Sequence, residues 1–415
     1  MIVELKKGRE VLNLDIAKSN LLDILVPANL PSGLNEKEIV RNSILNPIGS
    51  KSLKDIFNDE DKIVIITSDI TRPMPTYKVL PVLANELFKA NVKKENIEVV
   101  FARGSHRFHS EEEKKHLMGE MYGVISCYDS DSEHLVHVGT TSRGTPVDID
   151  ERVMKADKRI CLGNVEYHYF AGFSGGYKAI MPGVSTPSAI TLNHRLMVSE
   201  KAKAGNIVDN PVRLDIDEAG KMVGVDFIVN VILNTKKEII DCFSGDATLA
   251  HKEACKRLEE IYASNIQEKA DIVIVSNGGA PKDLNLYQTQ KALDNAGHAI
   301  KENGVIILIG SCLEGFGNKT FEEWMLNYKD PDVMINKLHE HFMLGAHKAT
   351  AIAMLKKKCD IYFVSDMDEE AVNKTFLKPY KDINRAYEDA LKKTGNSSKV
   401  IAMPYGGSTL PILRN

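Results

Sequence analysis

Apolar and polar positions along the chain follow two periods. Short runs of β-branched and aliphatic residues read as strands buried on both faces: Lys62–Thr67, Ile97–Ala102, Arg159–Gly163, Phe227–Leu233, Asp271–Ser276, Gly304–Ile309, Asp360–Val364 and Lys399–Met403. Between them the period becomes helical. Thr76–Ala90 places Leu80, Leu83, Leu87 and Phe88 on one face, and His251–Ser264 and Gln288–Asn303 are predicted as further helices. This alternation predicts an α/β protein of two doubly wound domains, with mainly parallel sheets and an active-site cleft between them. A new series begins near Gln267–Ala270, so the expected domains are residues 1–265 and 270–415. The terminal helix Lys381–Lys393 is expected to bridge back to the first domain.

Composition narrows the class without changing the fold. Of 415 residues, 43% are hydrophobic and 27% charged, enough for a sizeable core without covalent staples. A net charge of −4 from mixed charges gives no footprint for nucleic acid. Cys127, Cys161, Cys242, Cys255, Cys312 and Cys359 are scattered and form no C-x-x-C pair, so a thiolate metal site is not expected. The opening Met-Ile-Val-Glu-Leu-Lys-Lys does not read as a signal peptide, and no apolar stretch approaches the ~18 residues of a membrane span. A soluble protein of the reducing cytoplasm is expected.

Most of the strands run directly into polar loops containing Gly or Pro. In open α/β sheets, ligands bind at the carboxyl ends of strands. Ser68-Asp69-Ile70-Thr71-Arg72-Pro73 carries hydroxyls, a carboxylate and a guanidinium before a Pro-started helix, a combination suited to an anion. The competing reading is a helix cap with Asp69 paired to Arg72. Gly104-Ser105-His106-Arg107 offers a histidine at a strand end, placed for general base work. Tyr167–Lys178 gathers His168, Ser174, Gly175, Gly176 and Lys178. Its Gly-Phe-Ser-Gly-Gly-x-Lys run suggests either a phosphate-cradling loop or a lysine for covalent chemistry, although it lacks the Walker spacing. The plain alternative is a glycine turn. His194 in Asn193-His194-Arg195 is a metal-type imidazole without a paired ligand nearby, so a metal there takes most of its ligands from elsewhere, such as a cofactor. Downstream, Tyr287, Gln288 and Lys291 open a helix, with Gln288 and Lys291 on one face. The Gly310–Asn318 loop lacks G-x-G-x-x-G, so no nicotinamide cofactor is signalled and an ordinary NAD-dependent dehydrogenase is disfavoured.

Taken together, these motifs resemble the LarA family, the nickel-pincer-nucleotide lactate racemases. The resemblance rests on Ser-Asp-x-Thr-Arg-Pro (68–73), Gly-x-His-Arg (104–107), His-x-Phe-Ala-Gly-Phe-Ser-Gly-Gly-x-Lys (168–178), Asn-His (193–194), Asn-Gly-Gly-x-Pro-x-Asp (277–283) and Tyr-Gln-x-x-Lys (287–291). It implies an isomerase, a racemase or epimerase of 2-hydroxy acids working by hydride transfer to a nickel-pincer nucleotide. By the same resemblance, Lys178 tethers the cofactor covalently and His194 is the protein ligand of nickel. Asp69, Thr71, Arg72, Ser174, Gly175 and Gly176 bind the cofactor. His106 and His168 are the acid/base pair. Arg72, Tyr287, Gln288 and Lys291 meet the substrate. The implied partners are a small 2-hydroxy acid and the enzymes that make the cofactor.

One departure bears on substrate. Where lactate-specific members carry an aromatic, the stretch Leu344–Lys348 reads His347. As a substrate contact, a polar residue there favours a larger acid such as malate or a sugar acid. The alternative from another class is a non-catalytic cofactor-binding protein, and the presence of both His106 and His168 argues against it.

Overall fold

Six strands form the sheet of residues Leu30–Ile261, in the order Ile239–Gly245, Phe227–Leu233, Lys158–Asn164, Ile63–Ser68, Ile97–Ala102, Ser126–Asp129. All neighbours are parallel except Ile239–Gly245, which runs antiparallel to Phe227–Leu233. The central strands are apolar on both faces because both are covered. Helix Thr76–Lys89 turns Val79, Leu80, Leu83 and Leu87 onto one face, where they join Ile63, Ile65, Val99 and Phe101 in a single core. The structure is a computed structural model, and it describes residues 1–27, 30–234, 236–343 and 345–413. Among the described residues no helix is long and apolar enough to cross a membrane.

The register matters for function. Ser68 pairs with Ala102, and Ile66 with Cys161. Strands Lys158–Asn164, Ile63–Ser68 and Ile97–Ala102 are thus adjacent and end at one sheet edge. The loops that follow them carry Tyr167–Lys178, Asp69–Arg72 and His106.

The second unit comprises Met1–Asn29 together with Tyr262–Asn415. Its six-stranded sheet is wholly parallel, in the order Lys378–Tyr380, Asp360–Val364, Ile300–Ile309, Ala270–Ser276, Val400–Met403, Leu21–Ile24. The N-terminal segment therefore belongs here, not to the first domain as the sequence suggested. It supplies an edge strand, and its hairpin Ile2–Lys7/Glu10–Asp15 buries Val3, Leu5, Leu14 and Ile16 against Ile272, Ile274, Val305 and Ile307. Helix Ile383–Thr394, expected to bridge back, belongs to this unit. Its face Ile383, Ala386, Tyr387, Ala390 has the spacing of a helix stripe and packs into this same core. The helix predicted over Gln288–Asn303 is shorter, Leu286–Ala296. Gly297 ends it and the strand Ile300–Ile309 starts within the predicted span.

Candidate active site

Asp69 follows the strand Ile63–Ser68 and is 2% exposed. Its Oδ2 binds Nδ1 of His106, and its Oδ1 accepts the Thr71 hydroxyl at 2.7 Å and the Thr71 N–H at 3.2 Å. Burial pushes this carboxyl up, but the hydrogen bonds from His106 and Thr71 and the charges of His106 and Arg72 outweigh it and hold it below the ordinary 3.8. A carboxylate facing Nδ1 requires a hydrogen there, so neutral His106 carries its lone pair on Nε2. In place of the Asp69–Arg72 pair of the competing cap reading, Asp69 binds His106, and Arg72 donates its backbone N–H to the Asp69 carbonyl at 3.1 Å.

Three residues to which the sequence assigned no role of their own brace this loop. His109 is buried; its Nε2 accepts the Ile70 N–H at 3.0 Å while Nδ1 binds Asp129. It thus pins the backbone beside Asp69. Arg103 donates to the carbonyls of Ser130 at 2.7 Å and His106 at 2.8 Å, tying the His106 turn to the neighbouring strand end. Arg107 forms a bidentate pair with Glu113, whose carboxyl drops to about 2 chiefly through that contact.

Tyr167–His168 and Gly172–Phe173 pair as a small antiparallel hairpin. At its turn the Ala171 N–H donates to His168 Nδ1 at 3.2 Å. This ring is therefore the opposite tautomer to His106, with its hydrogen on Nε2 when neutral. The buried Phe170 ring lies edge-on to His168 at 4.6 Å and to His194 at 4.9 Å. His194 ends helix Pro187–Arg195, which Thr186 caps through the Ala189 N–H at 3.2 Å. Its Nδ1 faces the Asn193 Oδ1 at 3.2 Å. Among the described residues no three His, Cys, Asp or Glu side chains converge to hold a metal ion.

Lys178 sits in the short turn Gly176–Ala179. Burial pushes its amine well below the usual lysine range, the positive charges of Arg72 and Arg213 push it further, and Glu166 pulls weakly the other way. An uncharged amine is a nucleophile, and two guanidiniums within electrostatic reach favour an anionic group beside it.

Ser174, Gly175 and Gly176, expected at the cofactor, lie in a turn with bonds of its own. The Ser174 hydroxyl donates to the Asn164 carbonyl at 2.7 Å and accepts the Glu166 N–H at 2.9 Å. The Gly176 N–H is committed to Asn230 Oδ1 at 2.8 Å, and the Gly175 carbonyl accepts from Arg213 at 3.4 Å. His251 donates Nε2–H to the Ser174 carbonyl at 2.8 Å, which leaves its Nδ1 to accept from Arg213 at 3.3 Å. Burial and Arg213 push this imidazole well below its ordinary value, so it is neutral. The segment is a glycine turn that places Lys178. Gly175, at φ +77, has no room for a Cβ, which would come within 2.6 Å of Asn230 Oδ1.

In the second unit, Asn285 caps helix Leu286–Ala296 through the Gln288 N–H at 3.0 Å. Gln288 and Lys291 are exposed on one helix face, offering an amide and an ammonium group. Tyr287 is held by Lys348, whose Nζ donates to its carbonyl at 2.8 Å and lies 4.1 Å from its ring centre. The His347 ring is buried, Nδ1 accepts the Gly345 N–H at 3.0 Å, and burial pushes it down to about 4. It is a neutral element of the start of helix Ala346–Lys358. Leu344 lies outside the described residues.

Known proteins place this geometry in context. Residues 7–205 match the lactate racemase N-terminal domain family, and residues 266–410 the lactate racemase C-terminal domain family. The lactate racemase of Thermoanaerobacterium thermosaccharolyticum is 33% identical over 421 residues, spanning 98% of each chain. That of Lactiplantibacillus plantarum is 31% identical over 417 residues, spanning 97% of this chain and 98% of its own. The solved lactate racemase apoprotein from T. thermosaccharolyticum superposes with a TM-score of 0.87 at 33% identity, covering 100% of both chains. A Thermotoga maritima protein shares the fold at a TM-score of 0.62 and 18% identity, covering 91% of this chain and 98% of its own. The chain belongs to the lactate racemase family and is an isomerase, a racemase.

Proposed function

We propose that this protein inverts the C2 carbon of a 2-hydroxy acid, lactate in the first instance, with a nickel-pincer nucleotide tethered to Lys178. The observation that carries the reading is the opposed state of two imidazoles in one unit. His106 offers a lone pair at Nε2, because Nδ1–H is held by Asp69; neutral His168 offers a hydrogen at Nε2, because Nδ1 accepts from Ala171. His106 is set to take a proton at Nε2, and His168 to meet the substrate oxygen through Nε2–H.

The chain's residues fit the cofactor. Lys178 has an amine driven towards its neutral form, with the Arg72 guanidinium within electrostatic reach to meet a nucleotide phosphate. His194 presents Nε2 as its lone-pair nitrogen, and with no further protein ligands converging, the remaining donors come from the cofactor. When bound, the group supplies a hydride acceptor and donor for the substrate's C2 hydrogen. The protein's own task is to manage protons. His106 Nε2 accepts the proton of the C2 hydroxyl as the carbonyl forms, and Asp69 offsets the charge that develops on the ring. His168, in its protonated form, returns a proton from Nε2 to the carbonyl oxygen when the alcohol is remade and ends as a neutral ring. One proton is taken and one given, and the two rings end with their roles exchanged. That prepares the site for the opposite enantiomer, as reaction in both directions requires. Arg72, exposed in the Asp69 loop, supplies a fork for the substrate carboxylate.

Co-expression with the cofactor-making enzymes tests the reading. A mass increase mapped to Lys178, together with stoichiometric nickel that His194→Ala loses, is expected. A chain that acquires neither under conditions that load a known relative overturns it.

A further inference from the structure

We propose that Asp215, acting through Asn193, is a positioning residue that fixes the tautomer of His194 and so determines which nitrogen it offers to a metal. This rests on the reading of His194 as the metal ligand. Asp215 lies in helix Pro211–Val223 and is 0% exposed. Its carboxylate accepts the Thr141 hydroxyl at 2.5 Å, the Thr145 hydroxyl at 2.7 Å and the Asn193 amide at 2.9 Å. The two threonines close a turn of their own, with Thr141 N–H on the Thr145 carbonyl at 2.9 Å and Thr145 N–H on the Thr141 hydroxyl at 3.1 Å.

Asn193 is also fully buried, at 0%. Its Nδ2 serves Asp215 and, at 3.2 Å, the carbonyl of Val212. Both are acceptors and cannot turn round. An ionised carboxylate has no hydrogen to give, and neither has a backbone carbonyl. Flipping the Asn193 amide would set oxygen against oxygen at both contacts. The Oδ1 is therefore fixed on the opposite side, 3.2 Å from His194 Nδ1. A ring nitrogen facing a carbonyl oxygen carries the hydrogen, so neutral His194 has its lone pair on Nε2. A neutral amide at position 215 would weaken this preference, because it can meet Asn193 in either orientation and leaves the longer Val212 contact as the one bond that opposes a flip. The requirement is for a group that only accepts, which accounts for a carboxylate buried among uncharged donors.

The tautomer is readable without any cofactor. In apo-protein labelled with 15N-histidine, long-range proton–nitrogen correlations, with His194 identified by its loss in His194→Gln, should show the Nδ1–H form. Asp215→Asn should move it towards Nε2–H. Thr145→Val, which removes a neighbour of Asp215 but leaves the bond to Asn193, should retain the wild-type form. An Nε2–H ring in the wild type, an unchanged ring in Asp215→Asn, or the same change in Thr145→Val each overturns the proposal. Should Asp215→Asn fail to fold, the wild-type spectrum still decides. In protein carrying the Lys178 adduct, Asp215→Asn should weaken nickel retention by about 10- to 100-fold while leaving the adduct in place. If the wild type acquires no nickel, the function proposed above fails, and the tautomer measurement still judges Asp215 separately.

Discussion

Replacing Asp69 by Asn changes one atom and tests the base assigned to His106. The Asn Oδ1 can still accept both bonds from Thr71, which measure 2.7 and 3.2 Å. The new Nδ2, however, points at His106 Nδ1 where a carboxylate oxygen stood. Two donors cannot share that contact, so the ring hydrogen moves to Nε2 and the nitrogen that accepts the substrate proton loses its lone pair. The lost interaction is a charge-assisted hydrogen bond, worth about 1.5–3 kcal/mol. That corresponds to about a 10- to 150-fold fall in kcat, and the tautomer reversal places the result towards or beyond the upper end. The assay is interconversion of lactate enantiomers by cofactor-loaded protein, followed by chiral chromatography, with kcat and KM separated. We expect kcat to fall and KM to change little. A kcat within about twofold of wild type would refute the reasoning, since the bond to His106 strengthens as charge develops on the ring and so acts on kcat. The same variant has a pH signature. Because the Asp69 carboxyl is held below 3.8, its bonds contribute stability above that pH, and the contribution is lost as pH falls through the depressed value. The melting temperatures of wild type and variant should therefore differ most near neutrality and converge in acid.

Other consequences are more direct. His106→Ala and His168→Ala should each retain the Lys178 adduct and nickel yet lose racemisation by about 10²- to 10⁴-fold, the usual contribution of a positioned acid or base; full activity in either removes that histidine from its role. Competitive acetylation across a pH series, mapped by mass spectrometry, should find Lys178 reactive at lower pH than the exposed Lys155, and Arg72→Ala should raise that threshold; matching profiles for the two lysines would contradict the depressed amine. Gly176→Ala forces a side chain at φ +58 and sets its Cβ 2.8 Å from Arg213 Nη2 and 2.9 Å from the His251 ring. It should destabilise its unit by about 1–3 kcal/mol in urea unfolding, and an unchanged midpoint would show that the turn has slack.

What was legible in the sequence follows from the range over which each interaction acts. The eight aliphatic runs are all strands, because a strand covered on both faces must be apolar throughout, and that is a local property. Leu135–Thr140, Pro146–Asp150 and Ile239–Gly245 went unread, since they mix polar and apolar residues at the periphery of the fold. The placement of residues 1–29 with the second unit depends on pairing Leu21–Ile24 with Val400–Met403, which no local pattern encodes. The site divides in the same way. Asp69, His106, His168, Lys178 and His194 stand out as reactive residue types in loops or at a helix end. Their supports are remote in sequence: Asp129 for His109, Asn230 and His251 for the 174–176 turn, and Asp215 for Asn193. Ser174–Gly176 looks like an anion cradle in sequence because glycines expose backbone N–H groups; the partners Asn230 and Glu166 that occupy the turn become visible only once the chain folds.

The central claim is tested most directly by supplying cofactor-loaded protein with pure L-lactate in one vessel and pure D-lactate in another, and following the enantiomeric ratio in both. The account predicts that the two converge on an equal mixture, with no net formation of keto acid, and that neither changes with His106→Ala protein. Protein shown to carry the Lys178 adduct and nickel that leaves both enantiomers untouched would contradict it.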